Sequence, residues 1–88
     1  MTRTKGNVIV ENIKIGDIHY EFEYGVGIKL KVLTLPVRQE DENGDGYWTW
    51  QSEHIHTGAI INYHIVEKYA HYSPNLYDYE AYQGCKII

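Results

Sequence analysis

The sequence predicts a small all-β domain, mostly antiparallel, folded as a barrel or roll of about five strands with an irregular or short-helical C-terminal segment. Three observations carry that expectation. Apolar and polar residues alternate with period two through residues 18–32, 47–51 and 59–66. The alternating segments are rich in aromatic and β-branched residues, which fit a pleated, half-buried surface. Glycine, asparagine and aspartate gather between them, where turns are needed. A length of 88 residues leaves room for a single domain, residues 1–88, and one modest core.

Asn7 to Ile15 reads as a weak first strand. In Ile18-His19-Tyr20-Glu21-Phe22-Glu23-Tyr24 the residues Ile18, Tyr20, Phe22 and Tyr24 share one face, expected to point inward, and His19, Glu21 and Glu23 share the other. Gly16-Asp17 and Gly25-Val26-Gly27 supply the flanking turns. Ile28, Leu30 and Val32 continue the alternation, with Lys29 and Lys31 outward. The run then goes on through Leu33, Thr34 and Leu35 to Pro36, a mid-strand change of pattern expected of a bent strand shared by both halves of a barrel. Pro36 ends the ladder or places it at an edge, because it has no N–H to donate. Arg38 to Gly46 reads as a charged connector. Tyr47 to Gln51 puts Trp48 and Trp50 on one face, and Ala59 to Val66 sets Ile61, Tyr63 and Ile65 opposite Ile60, Asn62 and His64. Tyr20, Phe22, Trp48 and Ile61 are the expected shared core. Tyr69 to Tyr82, around Ser73-Pro74-Asn75, shows no clean period.

Composition narrows the function classes. The net charge of −4 is uneven: residues 1–38 hold six basic against four acidic side chains, and residues 39–88 hold two against eight. Binding nucleic-acid phosphates requires lysine and arginine, so nucleic acid is not an expected partner for this chain. The lone cysteine, Cys85, cannot make an intrachain disulfide, which suits a reducing compartment. No apolar run approaches the ~20 residues that span a bilayer, and no apolar stretch follows the basic N-terminal residues as in a secretory signal. A cytoplasmic protein without membrane contact is the expectation. Glycine-rich phosphate loops and the G-x-S-x-G nucleophile elbow are absent, and no nucleophile, base and orienting group can be read together, so no enzyme and no cofactor are expected.

Two motifs suggest metals. Asp41-Glu42-Asn43-Gly44-Asp45-Gly46 matches the opening of a calcium loop, but the twelfth position, where a bidentate glutamate closes the site, is Ser52. Asn43-Gly44 and Asp45-Gly46 are equally hairpin-turn dipeptides, and a hairpin is the expected reading. In His54-Ile55-His56 the two imidazoles would share one strand face and could reach one metal, with His64 on the next strand and His71 beyond it.

Asn75-Leu76-Tyr77-Asp78-Tyr79-Glu80-Ala81 resembles the A-L-Y-D-Y-E-A signature of eukaryotic SH3 domains. In that family the motif opens the domain and lines a proline-peptide groove. Here it stands seven residues from the end, without the later paired tryptophans or the closing P-x-N-Y, so no peptide-binding residues carry over from it. The strand pattern itself remains compatible with an SH3-like barrel.

Nine tyrosines in 88 residues exceed what a small core holds. Tyrosine gives large contact area at low entropic cost, as interfaces use it. The expected function is therefore a non-enzymatic binding protein that meets a protein partner, or a second copy of itself, through Tyr69, Tyr72, Tyr77, Asp78, Tyr79, Glu80 and Tyr82. At class level this is the profile of phage-type inhibitors of host or defence proteins. The alternative is a small-molecule (nucleotide-like) or metal-binding domain using His54, His56 and His64.

Overall fold

A computed structural model describes residues 8–23, 26–70, 76–77 and 86–88. Its organising element is the nine-residue strand β4 (Gly46–His54), which is paired along both edges. On one side it runs antiparallel to β5 (Ile60–Val66), from Tyr47 opposite Val66 to Glu53 opposite Ile60. On the other side it is shared. Its first half pairs with β3 (Val37–Glu40) and its last residues pair with the end of β2 (Val26–Val32). Beyond β2 lie β1 (Ile18–Glu23) and then β6 (Leu76–Tyr77), both antiparallel. β7 (Lys86–Ile87) runs parallel to the start of β2. The chain is all-β, and only short 3-10 turns at Val10–Asn12 and Glu67–Tyr69 interrupt it among the described residues. The sheet does not close into the expected barrel. It stays open, with β5 and β6 unpaired to each other.

The bend foreseen between Val32 and Pro36 is a bulge. Val32 faces Ser52 and Val37 faces Thr49, so five steps along β2–β3 match three along β4. Gln51 fastens it: its carbonyl accepts from Leu33 N–H (2.8 Å) and Thr34 N–H (3.3 Å), and its own N–H donates to Thr34 Oγ1 (2.8 Å). The expected connector is accordingly shorter, because Val37–Glu40 is strand and Gly46 begins β4.

The face of β1 is the reverse of the alternation argument. His19 lies opposite Leu30, Leu30 opposite His54 and Val32 opposite Ser52, which puts His19 and Glu21 on the core side. That core comprises Val8, Val10, Ile13, Leu30, Val32, Trp50, Tyr63, Ala70 and Leu76, with Ile28, Trp48, Ile61 and Ile65 packed against it. Tyr20 and Phe22 point the other way. There Phe22, 5% exposed, stacks on Tyr20 at 6.2 Å and meets Tyr77 edge-on at 5.6 Å. Gly27 sits opposite Phe22 in this second cluster, and a Cβ there would come within 2.6 Å of both the Phe22 ring and Ile87 Cδ1. Trp48 and Ile61 thus join the expected core, while Tyr20 and Phe22 form their own. Polarity misled because His19 Nε2 and Glu21 Oε2 each find an inward hydrogen-bond partner, Ser52 and Tyr63.

The expected first strand is absent from the described part of residues 7–15. Asn12 N–H bonds Ile9 O (3.0 Å) and Ile13 N–H bonds Val10 O (3.1 Å), which curls the chain into a 3-10 turn. The segment still serves the core: Val8, Val10 and Ile13 are buried, and Val8 and Val10 donate backbone bonds to Leu76 O (3.1 Å) and Ala70 O (2.8 Å). No described helix is long and apolar enough to cross a membrane.

Candidate functional site

Polar chemistry concentrates first in the core. His19 is 3% exposed and Ser52 fully buried, and His19 Nε2 lies 2.8 Å from Ser52 Oγ. Trp50 Nε1–H donates to the same hydroxyl at 3.2 Å. The Ser52 hydroxyl thus accepts from the indole and shares a second hydrogen bond with His19 Nε2. Nδ1 has no partner among the described residues. Trp50 and Tyr63 stack at 4.9 Å, and the imidazole stands edge-on to both rings. Tyr63 completes the chain by donating its hydroxyl to Glu21 Oε2 at 3.0 Å. Burial pulls the His19 pKa down to about 4 against the weaker opposing pull of Asp17, so the ring is neutral at pH 7. Burial likewise pushes the Tyr63 hydroxyl up, and the Glu21 carboxylate pushes it further. A serine beside a neutral histidine has the composition of a nucleophile and base. Here Ser52 is fully buried and its oxygen accepts from Trp50, so the pair lies within the core packing. A cleft of about 220 Å³ opens beside it, lined by Val8, Asn12, Ile13, Asp17, His19 and Val32.

The histidines named as metal ligands diverge. β4 ends at His54, and residues 55–57 form a turn, so His54 and His56 do not continue one strand face. His54 is buried, its Nε2 2.8 Å from Ile88 O and its Nδ1 3.0 Å from Thr57 Oγ1. The His56 ring is exposed, 6.2 Å from that of His54. His64 lies on the opposite face of the sheet, against Tyr47 at 4.4 Å. Among the described residues no three histidine, cysteine or acidic side chains group as a metal site would require. His71 and Asp78 lie outside the described residues.

The acidic loop is an exposed hairpin connection. Asp41 Oδ1 accepts from the N–H groups of Asn43 (2.8 Å) and Asp45 (2.9 Å), and Gly44 supplies the left-handed φ of 83°. One carboxylate oxygen that a calcium ion would use is therefore occupied by backbone donors.

Of the tyrosine-rich set, Tyr72, Asp78, Tyr79, Glu80 and Tyr82 lie outside the described residues. Tyr77 is half-buried in β6 against Phe22, within its own chain. Tyr69 is 39% exposed, with Lys68 Nζ 5.0 Å from its ring centre.

The outer edge of β5 has no strand beside it among the described residues. Gln51 spends its backbone groups toward β2 and β3, while His54 N–H bonds Ala59 O on the β5 side (2.8 Å). Even-numbered residues of β4 therefore face β5. Through the register, Ile61, Tyr63 and Ile65 bond inward, and Ile60, Asn62, His64 and Val66 direct N–H and C=O outward. β5 has no strand partner but β4 among the described residues. Its side chains include no charge, and Ile60 (52%) and Val66 (42%) stand exposed. On the same outer face a trough of about 440 Å³ runs to the bulge, lined by Leu35, Val37, Thr49, Asn62 and His64. Natural edge strands are usually guarded by lysine, proline or a bulge, and β5 carries none of these. The absence of a charge between Ala59 and Val66 was the signal in the sequence. Arg38 donates to both oxygens of Glu67 (2.8 and 2.9 Å) and to Glu40 (3.1 Å), tying β3 to the turn after β5. Those bonds raise its pKa further and hold it charged.

Comparison of the chain with protein-family models, characterised proteins and solved structures finds no match.

Proposed function

We propose that this chain is a non-enzymatic binding protein that engages a protein partner by strand addition along the free edge of β5, with Tyr69 contributing beyond its end. The observation that carries the reading is a seven-residue edge strand, uncharged and apolar at both ends, whose outward backbone groups have no partner among the described residues. Strand addition draws affinity from main-chain hydrogen bonds and specificity from alternate side chains. The exposed Leu35 and Val37 offer apolar surface on the outer face of the same sheet. Enzymatic readings gain nothing from the Ser52–His19 pair, which is buried and spent on packing.

The test is a photo-reactive benzophenone amino acid placed at Asn62 and, as a control, at Glu11, which is exposed and off the sheet. Irradiation in the native host should give a discrete protein adduct from position 62 and none from position 11. Equal labelling from both positions, or none from position 62, would overturn the reading.

A further inference from the structure

β5 reads Ile60-Ile61-Asn62-Tyr63-His64-Ile65-Val66, a near-palindrome in polarity about Tyr63. We infer that the occupant of its free edge is a second copy of this chain, paired antiparallel about a two-fold axis through Tyr63. The inference rests on the binding reading above and names its partner. A two-fold at Tyr63 sets Ile60 against Val66, Ile61 against Ile65 and Asn62 against His64 of the other copy. Apolar side chains then meet apolar ones, and polar ones meet polar ones. The backbone agrees independently. Only Ile60, Asn62, His64 and Val66 face outward, and this axis places those four residues opposite one another, so every outward N–H and C=O finds a partner. An axis between residues would set outward groups against inward ones. Axes at Asn62 or His64 keep the ladder but put Ile60 against His64, or Asn62 against Val66.

Charge does not oppose this pairing. Each chain carries a net −4, which sets copies against one another as wholes, but the β5 edge holds no charged side chain to oppose its image. On the core side, half-buried Ile61 and Ile65 flank the buried Tyr63 and would cover their counterparts, extending each core across the junction. Such an interface is isologous and closes after two copies, and the free edge is used up in it.

Sedimentation velocity on the full chain over a range of micromolar concentrations tests this. The chain should pass from monomer to dimer. Asn62→Pro removes an outward N–H that β4 does not use, and should leave a folded monomer. A charge pair provides a second route should the proline variant fail to fold. Asn62→Lys with His64→Lys sets like charges opposite in both pairs and should weaken the dimer about tenfold or more, whereas Asn62→Glu with His64→Lys should restore it. A strict monomer at high micromolar concentration, or a dimer indifferent to these variants, would overturn the inference. If the chain is a strict monomer while position 62 cross-links to a different protein, the binding reading stands and self-pairing fails.

Discussion

Lowering the pH from 7.5 to 5.0 should cost this fold about 2 kcal/mol through His19 alone, from its folded pKa of about 4 against an ordinary 6.5. The sign follows from the direction of the shift. Burial favours the neutral imidazole, so the unfolded chain binds the proton more readily. The stabilisation is complete above pH 6.5, declines as pH falls and is gone near pH 4, where the total loss reaches about 3 kcal/mol. Most carboxylates titrate below pH 5, which leaves the interval above it to histidine. The perturbation is His19→Phe, which keeps an aromatic ring against Trp50 and Tyr63 and removes the titration. It also removes the hydrogen bond between His19 Nε2 and Ser52 Oγ, at a cost of about 1–3 kcal/mol that does not vary with pH. Urea unfolding at several pH values should show the wild type losing about 2 kcal/mol more than the variant between pH 7.5 and 5.0. The His19 Cε1 proton, followed by NMR, should show no titration in the folded protein above about pH 5. Equal pH slopes for both proteins, or a His19 ring titrating near 6.5, would refute the account of the buried cluster.

Other consequences are local. Gly27→Ala drives a methyl into Phe22 and Ile87, and should lower stability by about 1–3 kcal/mol in denaturant unfolding. Asp41→Ala removes the acceptor of two backbone N–H groups and should cost about 1 kcal/mol by the same assay. Calorimetry with calcium should find no micromolar site in the wild type, because the loop lacks its twelfth ligand and Asp41 is engaged by backbone. Tyr77→Ala should destabilise the fold by about 1–2 kcal/mol through the loss of packing on Phe22.

The strands were legible in the sequence wherever one face is wet. Residues 60–66 and the tryptophan pair at 48 and 50 alternate cleanly because their outer face meets solvent, and the structure gives them the faces the alternation implies. The pattern change after Val32 marked the bulge for the same reason. Alternation over residues 18–24 locates β1 at Ile18–Glu23, with Tyr24 outside the described residues, but implies the wrong inner face, because both of its faces are covered. Period two fixes which residues share a side, and hydrophobicity names the inner side only when the inward polar groups lack partners. Those of His19 and Glu21 are Ser52 and Tyr63, 33 and 42 residues away, a distance no local pattern reports. The first segment misled in another way, since buried Val8, Val10 and Ile13 fit a strand as well as a turn, and contacts with Ala70 and Leu76 decided between them. Barrel closure depends on how the two edge strands lie in space, and alternation carries no information on that.

The most direct measurement is residue-resolved amide hydrogen exchange along β5 at two protein concentrations. At high dilution, the amides of Ile61, Tyr63 and Ile65, bonded to β4, should be protected while those of Ile60, Asn62, His64 and Val66 exchange quickly. As the concentration rises into the dimer range, the second set should slow and the alternation should vanish. Protection of the outward amides at every concentration would mean that the edge is already covered within the monomer. Unchanged fast exchange in an associated sample would place the contact elsewhere. Either result contradicts the claim that this edge is the surface the chain presents.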